Sequence, residues 1–346
     1  MSISEIAKQA GVGIGTVSRY INGKDKVSEE AALKIKAAID RVGYRPSLRR
    51  PGPKTAGRVG IKTGVILFVA AGQFAPEYLN KMPAYPMLLA GMQQFLFKHQ
   101  LTLMYGHIGE DGRLPEMLDA RYCDGIILSG ADLKPATHRD LLRQTLALPA
   151  VWCFREHDDP QKYFDHIFYN NQRTGLMAAE YLAGRGHRHV AFFSSSLRHP
   201  AFCERQKVFT NTCNRLGLQV ACFAEEVPVV GSTAESYRRL AEKFLSAAPQ
   251  ATGAFFCADD AMLGVYNELR SFGFDTERLD MIGCNHEEMF LRYITPRPAS
   301  IDIRLFEIGE LTAQRLLQRI NGAAAGPGAE LLIDPQLIAE VPAAVQ

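Results

Sequence analysis

From Thr63 onward the chain alternates short, almost wholly apolar runs with amphipathic stretches of helical period. The apolar runs are Val65–Ala70, Leu101–Gly106, Gly125–Leu128, Ala150–Phe154, Val190–Ser194, Gly253–Cys257, Met281–Cys284 and Glu330–Ile333. The helical stretches between them include Met87–His99, Gly175–Arg185, Cys203–Leu216, Thr233–Ala247 and Phe306–Ile320. A strand that is apolar on both faces must be covered on both, and intervening helices supply the cover. The pattern therefore predicts parallel α/β sheets. About 280 residues is generous for one such sheet and natural for two. Two lobes of this kind present a ligand cleft outside the C-terminal ends of their strands.

The residues ahead of Thr63 follow a different rule. Ser2 with Glu5 fits a capping box, and Ile3, Ile6, Ala7 and Ala10 give a first helix one apolar face. Gly11 ends it. A second helix starts near Ile14, with Val17, Tyr20 and Ile21 inward, and stops at Asn22-Gly23. Ser28 caps a third, whose inward face is Leu33 or Ile35, then Ile39 and Val42. Helix, tight Gly-containing turn, helix and supporting helix is the helix-turn-helix layout. Its second helix turns Ile14, Gly15, Ser18 and Arg19 outward, residues suited to close approach to DNA.

Charge supports the division. The whole chain carries 39 Lys+Arg against 37 Asp+Glu, a net +2 that looks uninformative. Residues 1–62 hold thirteen basic and five acidic residues, a net +8, so the remainder is −6. A basic head on an acidic body points to phosphate contact by the head alone. A composition 47% hydrophobic and 22% charged excludes a disordered, collagen-like or coiled-coil chain.

The segment ISEIAKQAGVGIGTVSRYINGKDKVSEEAALKIKAAIDRVGYRPS resembles the DNA-binding headpiece of the lactose/galactose repressor (LacI/GalR) family. Five elements match in order: I-x-x-I-A-x-x-A-G-V, T-V-S-R, I-N-G, V-S and G-Y-x-P. By this resemblance Ile14, Gly15 and Arg19 occupy base-reading positions, and Thr16, Ser18, Asn22, Lys26, Ser28 and Tyr44 phosphate-contacting ones. Arg19 is suited to a bidentate guanine contact, with a phosphate contact as the alternative. Gly15 stands where the family carries a bulky polar reader, so no relative's operator sequence transfers.

Residues 48–62, LRRPGPKTAGRVGIK, depart from the family, which has a short hinge helix here. Pro costs about 3 kcal/mol and Gly about 1 kcal/mol in a helix interior. An extended arm is the favoured reading, with Arg49, Arg50 and Lys54 along a narrow A·T-rich minor groove. A semi-rigid spacer is the alternative.

The resemblance continues more loosely through Asp124-Gly125-Ile126-Ile127, Gly186-His187-Arg188-His189-Val190, Ala258-Asp259-Asp260-Ala261-Met262 with Gly264, and Ile282-Gly283. It implies a body like periplasmic binding proteins, with an effector between two lobes. The expected organisation is a helix-turn-helix domain at 1–47, a basic linker at 48–63 and an effector-binding, dimerising body at 64–346. Lobe 1 would comprise about 64–184 and 303–331, lobe 2 about 187–301 and 332–346. The resemblance assigns effector contacts to Gln73, Tyr85, Asn170, Asn171, Arg205, Asp259 and Asn285, and Arg155, which follows a strand end, is a further candidate facing the cleft. Trp152, Tyr85 or Phe306 could stack on a sugar face. Asn285 stands where an Asp is common.

Other chemistry finds little footing. Gly11, Gly13 and Gly15 follow a helix rather than a strand, with the wrong spacing for a phosphate loop. His187 and His189 lack a third metal ligand, the loop His157-Asp158-Asp159 reads as solvated, and no G-x-S-x-G elbow frames Ser194–Ser196. Seven scattered cysteines without a CxxC pair read as small buried apolar residues in a reducing compartment. The N-terminus has no secretory pattern and no apolar run is long enough to span a bilayer. The expectation is a soluble, cytoplasmic, homodimeric transcriptional regulator without enzymatic activity, metal or cofactor. Its partners would be a pseudo-palindromic double-stranded DNA operator and a carbohydrate-like effector, with no membrane contact. The rival is an α/β enzyme or soluble sugar-binding protein with an incidental helical head.

Overall fold

The structure is a computed structural model. It describes residues 3–21, 27–42, 60–71, 84–108, 111–130, 137, 140–141, 143, 148–155, 164–226, 233–247, 250–324 and 326–339. The chain divides into two compact units, Met1–Lys54 and Thr55–Gln346.

The first unit is helical: α1 (Ile3–Ala10), α2 (Ile14–Ile21) and α3 (Glu29–Val42). Ile6, Ala7, Ala10, Val17, Ile35 and Ala38 form its core, with Tyr20, Ile21 and Ile39 packed against it. Ile35, not Leu33, faces inward; Leu33 is 69% exposed. Gly11 supplies the left-handed residue of the turn, φ 64°, and Val12 N–H closes it on Ala7 O at 3.1 Å. At the start of α3 the Ser28 hydroxyl accepts from Ala31 N–H at 3.4 Å. Ser2 lies outside the described residues.

The second unit holds two parallel sheets of the same order. The first comprises β1 (Val65–Ala71), β2 (Thr102–Ile108), β3 (Gly125–Gly130), β4 (Ala150–Arg155), β5 (Asp165–Tyr169) and β11 (Glu330–Ile333). Its order is β11-β5-β4-β3-β1-β2, and every pairing is parallel. The second comprises β6 (His189–Ser194), β7 (Gln219–Ala224), β8 (Gly253–Phe256), β9 (Asp280–Cys284), β10 (Ala299–Asp302) and β12 (Gln336–Ile338). It runs β12-β10-β9-β8-β6-β7, with only β12 antiparallel. Helices α4 (Ala84–Lys98) and α10 (Leu305–Ile320) cover the first sheet through Leu88, Met92, Leu96, Ile308, Ala313 and Leu316. Helices α5 (Asn171–Gly184) and α6 (Pro200–Arg215) cover one face of the second sheet, and α7 (Ala234–Ala247) and α8 (Asp259–Ser271) the other, while the short α9 (Glu288–Leu291) follows β9.

The chain crosses between the sheets three times, at 169–171, 302–305 and 333–336. Helix α5 packs on the second sheet through Ala178, Ala179 and Leu182. The stretch 171–184, expected in lobe 1, therefore belongs to lobe 2, because the first crossing comes directly after β5. The carboxylate of Asn170's partner Asp334 joins two crossings, accepting from Asn170 Nδ2 at 2.8 Å, while Asn170 N–H donates to Ile333 O at 2.9 Å.

Candidate functional site

Two surfaces gather chemically capable residues. In the first unit, Ile14 (57% exposed), Gly15 and Arg19 lie on the open side of α2, with Thr16 and Ser18 half-buried beside them and Ser28 exposed ahead of α3. The Arg19 guanidinium folds back on its own helix, Nε donating to Gly15 O at 3.2 Å. This lays the side chain along the exposed helix surface. Asn22, Lys26, Tyr44, Arg49, Arg50 and Lys54 lie outside the described residues.

The second site lies at the C-terminal ends of the second sheet's strands. Arg205, one turn into α6, is only 1% exposed. Its Nε donates to Asn171 Oδ1 at 2.9 Å and its Nη1 to Cys257 O at 2.6 Å. The rings of Tyr169 and Phe202 flank the guanidinium, 5.2 and 5.7 Å from its carbon. Nη2 makes no hydrogen bond among the described residues. A buried guanidinium with two nitrogens anchored and one edge open is a fixed donor for a ligand. His199 caps α6, its Nδ1 accepting from Ala201 N–H at 3.2 Å. Burial, and then the charge on Arg205, lower its pKa to about 4, so it stays neutral.

Facing Arg205 is the loop after β9. Asn285 and His286 both take left-handed backbone, φ 98° and 56°, uncommon for residues with a Cβ. Asp259 holds this turn. It is fully buried, accepts from Ser300 Oγ at 2.9 and 3.0 Å, and accepts from Glu287 N–H at 2.7 Å. Ser300 Oγ in turn accepts from His286 N–H at 3.1 Å. Gly283 makes this possible: a Cβ there would stand 2.0 Å from Asp259 Oδ1. Burial raises the Asp259 pKa to about 8, with the neighbouring Asp260 adding to it and the N–H and hydroxyl donors only partly opposing. Glu287, half-buried, is raised to about 9 by burial and by Asp260 and Asp259; an Asn285 hydrogen bond and Arg205 partly oppose this.

The residues expected to touch an effector thus separate. Arg205 and Asn171 are joined by a hydrogen bond, and Asn285 stands on the turn after β9. Asp259 is beside it, but both oxygens are consumed in holding the 285–287 turn, so it positions the loop rather than presenting acceptors. Asn170 is spent as the cap of α5, accepting from Arg173 N–H at 3.0 Å, and on Asp334. Tyr85 is 1% exposed in the first sheet's core, its hydroxyl 2.6 Å from Ser129 Oγ. Trp152 is 4% exposed and stacks on His166, 6.5 Å between centroids, so it offers no face to a sugar. Phe306 is half-buried at the start of α10. Arg155 ends β4; its side chain, like Gln73, lies outside the described residues. Sequence reasoning missed Glu287, Ser300, Tyr169, Phe202 and the Cys257 carbonyl.

Two protein-family models match the chain. That of bacterial regulatory proteins, lacI family, matches residues 2–47, and that of a periplasmic binding protein-like domain matches residues 179–339. The chain carries a LacI-family helix-turn-helix domain and a periplasmic-binding-protein-like domain. The ribose operon repressor of Haemophilus influenzae is 25% identical over 335 residues, which are 92% of each chain. Among solved structures, the Lac repressor bound to ONPG has a TM-score of 0.67 at 18% identity, over 98% of both chains. The transcriptional regulator CelR in complex with cellobiose has a TM-score of 0.65 at 22% identity, again over 98% of both. The two matches correspond to the two kinds of architecture described above, a helix-turn-helix unit and a two-sheet periplasmic-binding-protein-like body. Among the described residues no helix is long and apolar enough to cross a membrane, and no group of three metal-ligating side chains occurs.

Proposed function

We propose that this chain is a sequence-specific transcriptional repressor of the bacterial cytoplasm, not an enzyme, whose operator affinity is set by a small carbohydrate-like ligand. The observation that carries it is the exposed face of α2, with Ile14, Gly15 and Arg19 on a helical core that matches the lacI family. A homodimer would set two such helices on a pseudo-palindrome. Ligand enters beside Arg205 and Asn171, whose fixed donors and amide suit hydroxyl groups, with Tyr169 and Phe202 close by. The complex of the CelR relative with cellobiose supports the carbohydrate class. Arg49, Arg50 and Lys54 add phosphate or minor-groove contacts ahead of the body.

The test is selection of bound duplexes from a random pool. Enrichment of one pseudo-palindromic motif, lost when residues 1–54 are deleted, is expected. No enriched motif would refute the reading. On the selected site, Arg19→Ala weakens binding by about 1–3 kcal/mol and relaxes one base position if Arg19 reads guanine. A uniform loss across sequences, with a shallower salt slope, would instead make Arg19 a phosphate contact. Arg49→Ala with Arg50→Ala flattens the salt slope if the arm lies on DNA, and leaves it unchanged if the segment is a spacer.

A further inference from the structure

Arg205 breaks a rule that the other arginines of this chain obey. Among the described side chains, every other arginine that is at least half-buried meets a carboxylate: Arg239 meets Glu225, Arg304 meets Glu307, and Arg315 and Arg319 meet Asp165. Arg205 is more buried than any of these, at 1% exposed, yet forms no ion pair with a described residue. Its hydrogen bonds go to neutral acceptors, the Asn171 amide at 2.9 Å and the Cys257 carbonyl at 2.6 Å. Asp259 acts on it only from a distance, its two oxygens being held by Ser300 and the Glu287 N–H. Burial keeps the carboxyls of Asp259 and Glu287 protonated at neutral pH, so neither supplies the missing negative charge.

A guanidinium taken out of water without a counter-ion is costly. Two donors beside it are still unused. Arg205 Nη2 and Asn171 Nδ2 donate to no described residue, and neither is among the buried atoms that lack a partner, so solvent reaches both. The bond from Arg205 Nε to Asn171 Oδ1 sets these two nitrogens side by side. Nη2 lies on the same edge of the guanidinium as Nε, and Nδ2 belongs to the same amide as Oδ1. Two neighbouring N–H donors, one carrying a full charge, match the two oxygens of a planar carboxylate. A neutral polyol fills the donors but leaves the charge uncompensated. A phosphate dianion brings more charge and more acceptors than this pair can meet.

From this arrangement we infer that the effector carries a carboxylate, a sugar acid rather than a neutral sugar, seated on Arg205 Nη2 and Asn171 Nδ2. The inference rests on the carbohydrate-effector reading above and sharpens it. The carboxylate supplies the counter-ion that the fold gives to its other buried arginines and withholds here. A charge-assisted bond of this type is about twice as strong as a neutral one.

The test uses the full chain at neutral pH and matched series built on glucose, galactose and mannose: the neutral sugar, its aldonic and uronic acids, and its 6-phosphate. Thermal shift and calorimetric titration are the readouts. In at least one series an acid binds about tenfold tighter than both the neutral sugar and the phosphate. Asn171→Asp keeps an acceptor on Arg205 Nε and supplies the anion from the protein itself, so in that variant the preference for the acid falls to near one. A neutral sugar or a phosphate that binds as tightly as the acids overturns the inference and leaves the carbohydrate reading standing, as does a preference that persists undiminished in Asn171→Asp. No stabilisation by any member of the panel overturns both. The comparison of acid with neutral sugar in the unaltered protein is decisive even if the variant folds poorly.

Discussion

Two buried aspartates, one under each sheet, are treated in opposite ways. Asp165, on β5 of the first sheet, is fully buried. Burial alone would raise its pKa, but hydrogen bonds from Arg319 and Arg315 and the Ala329 N–H outweigh it and bring the value down to about 2. Arg319 reaches it at 2.6 and 2.7 Å, Arg315 at 2.8 and 3.3 Å, and Ala329 N–H at 2.7 Å. These contacts tie β5, α10 and the approach to β11 together. Asp259 is equally buried, but its donors are a hydroxyl and a backbone N–H, and its pKa rises to about 8. Asp165 is neutralised by the fold's own cations, as is the buried Glu225 by Arg239 and Lys243, whereas Asp259 has no cation among its hydrogen-bond donors. Charge balance separates scaffold from site.

The contrast is open to attack by substitution. The largest effect expected is from Asp165→Ala, which strands two partly buried arginines and costs about 3–5 kcal/mol of unfolding free energy, measured by urea titration. A cost below about 1 kcal/mol would mean the cluster is only a surface ornament. The same group predicts acid sensitivity. Its folded pKa lies below the unfolded value of 3.8, so its stabilisation is present above about pH 4 and is lost as pH falls toward about 2. Next, Arg205→Ala removes the ligand's fixed donor. It abolishes a ligand-linked stabilisation that would be about 2.7 kcal/mol at a hundredfold excess over Kd, read by thermal shift; retained stabilisation would move the pocket elsewhere. Gly283→Ala drives a Cβ into Asp259 and Met262 and costs about 1–3 kcal/mol.

The remaining prediction turns on a sign. Asp259 has a folded pKa raised above its unfolded value, so its contribution is full below about pH 4 and declines as pH rises toward about 8. Asp259→Asn removes that decline. The variant is therefore as stable as the unaltered chain at about pH 4 and more stable at pH 9, whereas Asp165→Asn is destabilising at both. Equal behaviour of the two variants would erase the distinction.

Much of this was readable in the residues. The apolar runs marked eight of the twelve described strands because β1, β3, β4, β6, β8 and β9 are buried on both faces, and β2 and β11 carry enough apolar residues to join them. The runs at β5, β7, β10 and β12 escaped notice for stated reasons. β5 opens on two polar residues, Asp165 and His166, and the Asp165 charge is met by arginines of distant α10 and by Ala329 N–H on the approach to β11. β7 is a half-exposed edge, and β10 and β12 are four and three residues long. The headpiece was the most legible part, because its helices are short, amphipathic and capped locally. The pocket was half legible. Arg205, Asn171 and Asn285 stood out by motif position, but the motif could not tell that Asp259 would spend both oxygens on a turn. Nor could it show Glu287, whose placement depends on two left-handed residues and a serine fourteen positions beyond His286. The only hint was the acidic pair Glu287-Glu288 directly after Asn285-His286.

The central claim is that the pocket and the headpiece are energetically coupled. Its direct test is the affinity of the full chain for its selected duplex, by fluorescence anisotropy at fixed salt, with and without saturating ligand identified by thermal shift. A change in Kd of about 5- to 150-fold is expected, corresponding to about 1–3 kcal/mol of coupling, with the reciprocal change in ligand affinity when DNA is bound. A Kd that is the same with the pocket empty and filled would contradict it.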